Sequence, residues 1–183
     1  MGKSITIILL ILLSFLLNCS DQKAREQILF DFESPSELDQ LEWECHTMYS
    51  LSDEHRTHGL KSLKLELYPS DGEDYLGLTP IITKNNWSGF KYFCFDIYNP
   101  GVRQEQISLR IDDKKDYPDY NDRYNQSINL KSGQNNICIP LNEMATSATN
   151  RKINLQNIYK VLLFMSNPEK KVVLYMDYVR LVR

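Results

Sequence analysis

The chain has 183 residues, of which 42% are hydrophobic and 25% are charged, and its formal net charge is −3 at pH 7. This charge balance lacks the basic excess of nucleic-acid-binding surfaces, so we expect no nucleic-acid partner. The length and the apolar content are sufficient for one domain with a sizeable core.

The first 18 residues have the pattern of an export signal. Lys3 supplies a positive charge, and the apolar run Ile5–Leu17 that follows is too short for a stable membrane-spanning helix. The run ends in Leu-Leu-Asn-Cys, which resembles a bacterial lipobox and finishes at Cys19. Asn18 departs from the usual small residue at that position. The resemblance predicts cleavage before Cys19 and lipid on its side chain; the alternatives are an ordinary signal peptide cut nearby and an uncleaved anchor.

Lipid on Cys19 would hold the mature chain to a membrane, because several acyl chains bind a bilayer far more tightly than one. Residues 19–27 are polar and predict a tether, and we expect the folded domain to span 28–183. Residues 1–18 hold one basic and no acidic residue, so the mature chain has 20 Lys and Arg against 24 Asp and Glu, a formal charge of −4. We expect a monomer in the bacterial cell envelope, at the outer membrane or cell surface.

The rest of the sequence predicts an all-β domain. Ser34, Pro35 and Glu37 have the spacing of a helix N-cap, first position and third position, which predicts one helical turn. Short strands with regular turns and no long amphipathic helix indicate a β-sandwich or jelly roll. After an opening run at 28–33, the predicted strands are Trp43–Tyr49, Lys61–Leu67, Lys91–Tyr98, Gln106–Asp112, Arg123–Leu130, Asn135–Ile139, Lys160–Met165 and Val172–Leu181.

Alternation along several of these strands assigns one face to the core and the other to polar side chains. Arginines alternate there with aspartate, asparagine and tyrosine, which can bind paired sugar hydroxyls and an apolar sugar face. The acidic, tyrosine-rich loop 114–122 is predicted at the rim. The alternative is an internal ladder of ion pairs that binds nothing. The predicted ligand-binding residues are Asp96, Tyr98, Arg110, Asp112, Asp122, Arg123 and Asn125.

The cysteines allow at most one disulfide bond once Cys19 is lipidated, because three then remain. Export beyond the inner membrane permits such a bond. Cys94 and Cys138 share the outward face of their strands, so they can pair if those strands are neighbours. If the strands are not neighbours, both stay unpaired.

Several short motifs follow one another in a recognisable order. They are Thr57–Lys64, Trp87–Pro100, Arg110–Asp113, Asp122–Asn125, Gly133–Pro140 and Leu174–Leu181. Together they resemble the carbohydrate-binding modules of the galactose-binding-like superfamily that accompany glycoside hydrolases and agarases. The resemblance extends from Ile28 to Leu181 and implies a jelly-roll β-sandwich with a carbohydrate-binding role. The same sandwich also serves in assembly factors, lectins and catalytic domains.

The resemblance also implies a structural Ca²⁺ between the first and last strands. Its ligands would be Glu33, carbonyl groups of the turn 59–62, and Asp177, which are the oxygen donors that Ca²⁺ prefers. The alternative is that Glu33 caps the turn after Ser34 and that Asp177 binds backbone. The apolar parity changes around Asp177, which predicts a β-bulge in either case.

Catalysis is not expected from this sequence. Asp112, Asp113 and Asp122 could supply the carboxylate pair of a glycosidase, but adjacent Asp112 and Asp113 point to opposite faces of a strand. No nucleophile-elbow, P-loop or dinucleotide motif is present. The sequence therefore favours a lipid-anchored, non-catalytic glycan-binding lipoprotein. The alternatives are an envelope lipoprotein that binds protein or serves assembly and, less favoured, a glycan-active enzyme.

Overall fold

The computed structural model describes residues 25–42, 44–72, 75–116, 118–166 and 168–183. The predicted signal segment, the lipidation site Cys19 and most of the predicted tether lie outside these residues. None of the helices in the described part of the chain is long and apolar enough to cross a membrane.

Eleven strands form in the described residues, with three short 3₁₀ helices at Pro35–Gln40, Tyr120–Asp122 and Leu141–Glu143. The strands are β1 (Glu26–Phe30), β2 (Leu41–Glu42), β3 (Thr47–Ser52), β4 (Ser62–Leu67), β5 (Tyr75–Pro80), β6 (Tyr92–Asn99), β7 (Glu105–Asp112), β8 (Tyr124–Leu130), β9 (Gly133–Pro140), β10 (Lys160–Ser166) and β11 (Val172–Val182).

The strands make two antiparallel sheets. The six-stranded sheet has the order β3-β4-β11-β6-β9, with β1 also paired to β11, and the five-stranded sheet has the order β2-β5-β10-β7-β8. The consecutive strands β6 and β7 belong to different sheets, so the loop between them crosses from one layer to the other. The predicted all-β jelly-roll sandwich is confirmed.

The core lies between the sheets and consists of the apolar side chains that alternation assigns to the inner faces. Phe93, Phe95 and Leu109 are at most 1% exposed. Trp87 is fully buried, stacks on Phe93 with ring centroids 4.9 Å apart, and donates its indole N–H to the carbonyl of Lys84. Burying such a side chain stabilises the fold by about 1.5–3 kcal/mol, so these residues carry much of the stability.

Most of the predicted strands are present, and the 3₁₀ helix at Pro35–Gln40 has the predicted N-cap and capping box of Ser34 and Glu37. The sequence analysis missed β2 and β5. Gly77 and Pro80 weaken the strand pattern of β5, because glycine has no side chain to pack and proline lacks a backbone donor. β1 begins at Glu26, so Glu26 and Gln27, which the sequence analysis assigned to the tether, belong to a strand.

Strand β11 contains the predicted bulge. Its register with β6 shifts between Asp177 and Arg180, and Tyr178 has a φ of 51°. This irregularity explains why the apolar parity of the sequence changes there.

The disulfide that the sequence left open is present between Cys94 and Cys138. The two residues face each other on the neighbouring strands β6 and β9. Because β9 is an edge strand of its sheet, the bond fastens that edge to the strand beside it. Cys45 carries a free thiol on the surface.

Candidate functional site

A cleft of about 520 Å³ opens on the outer face of the five-stranded sheet. Four strands, the 3₁₀ helix at Tyr120–Asp122 and the loop after β9 contribute to it. The lining residues are Tyr75, Ser108, Arg110, Tyr120, Arg123, Asn125, Gln126, Ser127, Ser147, Leu162, Phe164 and Ser166.

The strand register explains why several of these side chains stand together. Phe164 of β10 lies opposite Ser108 of β7, and Ser108 lies opposite Ser127 of β8. One step along the face, Arg110 lies between Leu162 and Asn125 in the same way. Directly paired residues project from the same face of a sheet, so these rows form the floor of the cleft.

Aromatic side chains stand at both ends of the cleft. Tyr75 is 68% exposed and meets the ring of Phe164 edge to face, with centroids 5.2 Å apart. Tyr120 is 65% exposed at the β8 side. Gly77 of β5 lies opposite Phe164, and no residue larger than glycine fits at position 77. A Cβ atom there would lie 2.0 Å from the carbonyl oxygen of Leu163. Exposed rings with a polar stretch between them are what the apolar faces of sugars can pack against.

The polar part of the cleft is held by contacts within the chain. Arg110 binds Asp112 through two hydrogen bonds, one of them 2.9 Å long from Nε to Oδ1, and Asp112 is only 2% exposed. Asn125 donates to the hydroxyl of Ser147 over 3.0 Å, and that hydroxyl donates to the carbonyl of Arg123 over 3.1 Å. Asp112 is therefore a buried support for Arg110 and does not line the cleft.

Arg151 fastens the loop that carries Ser147. It bonds both oxygens of Asp113 at 2.6 and 2.8 Å and one oxygen of Asp122 at 2.8 Å. Burial would raise the pKa of Asp113, but the hydrogen bonds from Arg151 and the backbone N–H of Asn154 outweigh it and hold that pKa below its usual value. Hydrogen bonds from Lys114 and Arg151 also lower the pKa of Asp122. These two carboxylates are ion-paired supports of the cleft wall.

The prediction that all of the ligand-binding residues share one polar face is wrong, because their strands belong to different sheets. Asp96 and Tyr98 belong to β6 in the six-stranded sheet, on the opposite side of the sandwich from the cleft. Asp96 is 3.5 Å from the guanidinium of Arg180, and Tyr98 stacks on His55 with centroids 3.6 Å apart. These two residues therefore cannot contact a ligand that is bound in the cleft.

Of the predicted ligand-binding residues, Arg110, Arg123 and Asn125 line the cleft. The analysis of the sequence missed Tyr75 and Phe164. Tyr75 belongs to the strand that was not predicted. Phe164 belongs to a strand with apolar residues on both faces, so alternation could not tell which face was outward.

A neighbouring depression of about 400 Å³ shares Ser108 and Ser166 with the cleft and extends toward Arg103 and Lys170. The two together form a groove that continues past the ends of β7 and β10. Such a groove can accommodate an extended chain as well as a single small molecule.

The two predicted calcium ligands both meet the loop 57–61. Oε1 of Glu33 accepts the backbone N–H groups of Leu60 and Lys61, each at 2.7 Å. Asp177 accepts those of Thr57, His58 and Tyr178 at 2.6, 2.8 and 2.7 Å. Burial raises the pKa of Asp177, and these hydrogen bonds oppose that shift only in part.

The hydrogen bonds of Asp177 agree with the alternative in which that residue binds backbone. The alternative in which Glu33 caps the turn after Ser34 is wrong, because Glu37 makes the capping box. Oε1 of Glu33 and Oδ2 of Asp177 each already accept two backbone N–H groups, so an ion would bind the other oxygen of each carboxylate, Oε2 of Glu33 and Oδ1 of Asp177. Within the described ranges, no group of three or more His, Cys, Asp or Glu is placed to hold a metal. The calcium site would use two carboxylates and backbone carbonyls, so it stays a prediction.

The comparisons with known proteins concern the fold. No family model and no curated protein matches the chain. Among solved structures, it is similar to a family 11 carbohydrate-binding module from Clostridium thermocellum in complex with a β-1,3-1,4-mixed-linked tetrasaccharide. The TM-score is 0.65 at 18% identity, over 86% of this chain and 95% of that chain.

Two further structures contain the same fold within larger enzymes. An exo-β-agarase has a TM-score of 0.66 at 20% identity, covering 84% of this chain and 24% of the agarase. Xylanase 10B of Clostridium thermocellum, as its CBM22-1 and GH10 modules complexed with xylohexaose, has a TM-score of 0.52 at 13% identity, covering 87% of this chain and 28% of that one. The domain thus has the jelly-roll fold of carbohydrate-binding modules.

Proposed function

We propose that this protein is a lipid-anchored, non-catalytic glycan-binding lipoprotein, and that the cleft on the five-stranded sheet holds the glycan. The observation that carries the proposal is the cleft itself, with exposed aromatic rings at both ends and polar side chains between them. Rings suit the apolar faces of sugars, and arginine, asparagine and hydroxyl groups suit their oxygens. The similar module that was solved with a tetrasaccharide supports the same ligand class.

The carboxylates near the cleft support a binding role over a catalytic one. A glycosidase needs two carboxyl groups that face the sugar, one of them able to donate a proton. Asp112, Asp113 and Asp122 are each held in an ion pair with Arg110, Arg151 or Lys114. None of the described residues that line the cleft is Asp or Glu.

The first test of this function is a glycan array probed with the full-length chain in detergent. For any glycan that the wild type binds, Tyr75→Ala is expected to lower the affinity by about tenfold, which corresponds to about 1.4 kcal/mol. The matched control is Tyr92→Ala, because Tyr92 is also an exposed tyrosine but lies on β6 in the other sheet. Equal losses from both substitutions would place the glycan outside the cleft. If no glycan is bound, the protein-binding or assembly role becomes the better hypothesis.

The anchor has its own test, which does not depend on the ligand. Cys19→Ala is expected to move the protein from the membrane fraction to a soluble fraction, or to leave an unprocessed precursor, because the lipid can no longer be attached. The measurement is cell fractionation together with incorporation of labelled palmitate. Unlabelled wild-type protein, with Cys19→Ala still in the membrane fraction, would contradict lipidation.

A further inference from the structure

The charged side chains that line the cleft have the opposite sign to the net charge of the whole chain. The chain has more Asp and Glu than Lys and Arg, with a net charge of −3. The described residues lining the cleft include two arginines, Arg110 and Arg123, and no acidic residue. Glu44 lines an adjoining depression of about 70 Å³ that shares Tyr75, Leu162 and Phe164 with the cleft, and its carboxylate accepts a hydrogen bond from the hydroxyl of Thr79. The charged side chains among the described lining residues are therefore all basic, although the protein as a whole is acidic.

The two arginines differ in how their charge is balanced. Arg110 is almost buried and is paired with the carboxylate of Asp112. Arg123 is half-buried and donates from Nε to the carbonyl of Pro118, which is a neutral acceptor. Among the residues that the structure describes, Arg123 forms no ion pair. Its positive charge is the one that a ligand in the cleft would meet.

The absence of Asp and Glu from the described lining of the cleft also bears on the kind of sugar. A neutral sugar presents hydroxyl groups that donate as well as accept, and a carboxylate in the site is a strong acceptor for them. A sulfate ester or a sugar carboxylate only accepts, and a guanidinium binds such groups with two parallel hydrogen bonds. A cleft with an arginine and no acidic lining residue among those described therefore fits the anionic sugar better.

We infer that the ligand of the cleft is an anionic glycan, carrying sulfate esters or carboxylates, and that Arg123 binds its charged group. This inference rests on the proposed glycan-binding function and narrows it to one ligand class. It assigns the charge recognition to the cleft alone, because the neighbouring depression is lined by Arg103 and Lys170 together with Glu105 and Glu169.

The test compares charged polymers with their own uncharged forms, using the full-length chain in detergent. The probes are κ-carrageenan before and after desulfation, polygalacturonate before and after methyl esterification, and agarose. Each charged polymer of the correct class is expected to bind at least tenfold more tightly than its uncharged form at 50 mM salt. That difference is expected to shrink at 500 mM salt, because salt screens charges at the surface. The two pairs distinguish a sulfate from a carboxylate ligand.

The variants locate the effect in the cleft. Arg123→Gln is expected to lose at least tenfold in affinity for the charged polymer and to change binding of the uncharged form little. Arg123→Lys is expected to recover part of the loss, since it restores the charge without the paired donors. Lys170→Gln is the matched control, because it removes a positive charge from the neighbouring depression.

The possible results separate the two proposals. Equal binding of charged and uncharged polymers would overturn the anionic ligand and leave the glycan-binding function standing. If Arg123→Gln binds the charged polymer as tightly as the wild type does, the role of Arg123 is overturned. If none of the polymers binds while the array finds another, neutral glycan, the anionic class is again wrong. If the array also finds nothing, the glycan-binding function itself fails.

Discussion

Arg110→Ala is expected to lower the free energy of unfolding by about 3–5 kcal/mol. The substitution leaves the carboxylate of Asp112 without its partner at a position only 2% exposed. A buried charge without a partner costs far more than the lost attraction alone. Urea denaturation of the wild type and the variant measures the difference, provided that the m-value is unchanged.

Two controls separate this effect from a general loss of cleft residues. Arg123→Ala is expected to cost only about 0.5–1.5 kcal/mol, because Arg123 is half-buried and loses one hydrogen bond to a carbonyl without leaving a buried charge unpaired. The double variant Arg110→Met with Asp112→Leu is expected to recover most of the loss, since it removes both charges together. Similar costs for Arg110→Ala and Arg123→Ala would show that the pair is not a buried one.

Asp177→Ala is the second substitution with a large expected effect. It removes the acceptor for three backbone N–H groups, those of Thr57, His58 and Tyr178. A buried donor left without a partner costs about 1–3 kcal/mol, and these three hydrogen bonds are partly buried, so we expect a total loss of about 3 kcal/mol. Asp177→Asn keeps an acceptor oxygen and is expected to lose less. Equal loss in the two variants would mean that the negative charge, rather than hydrogen bonding, is what the fold needs there.

The same variants test the proposed Ca²⁺ of Glu33 and Asp177. A ligand that binds only the folded protein raises its melting temperature by mass action, so wild type with calcium is expected to melt at a higher temperature than wild type with EDTA. Glu33→Gln and Asp177→Asn are expected to abolish that difference. A melting temperature that responds neither to EDTA nor to added calcium would contradict the ion and leave both carboxylates as acceptors for the loop 57–61.

Local sequence patterns were sufficient to predict the faces of β6 and β7. Alternation placed Phe95 and Leu109 in the core and Asp96 and Arg110 outside it, and the structure agrees on all four parities. Alternation could not tell that β6 and β7 belong to different sheets, because sheet membership depends on pairing between distant parts of the chain. The error in grouping Asp96 with Arg110 follows from that limit.

The cleft could be predicted only in part for a related reason. Arg110 and Asn125 stand out as polar residues on strands whose other face is apolar, and Arg123 directly precedes the second of these strands. Tyr75 begins a strand with a glycine in its middle and a proline at its end, so its pattern is weak. The sequence also could not show that Asp112 supports Arg110 instead of binding ligand. It places Asp112 two residues from Arg110 but does not reveal how deeply Asp112 is buried.

The position of β1 has a mechanical consequence. β1 pairs with β11 in the six-stranded sheet through the ladder Glu26–Val182, Gln27–Leu181, Ile28–Arg180 and Phe30–Val179, whereas the cleft is on the other sheet. If the chain is held at its N-terminus and a polymer in the cleft is pulled, tension must cross the sandwich and leave it through β1. Ladder hydrogen bonds run perpendicular to the strands. Tension along β1 would shear all of them together, whereas tension across it would open them one at a time, so the domain would resist pulling most strongly along that strand.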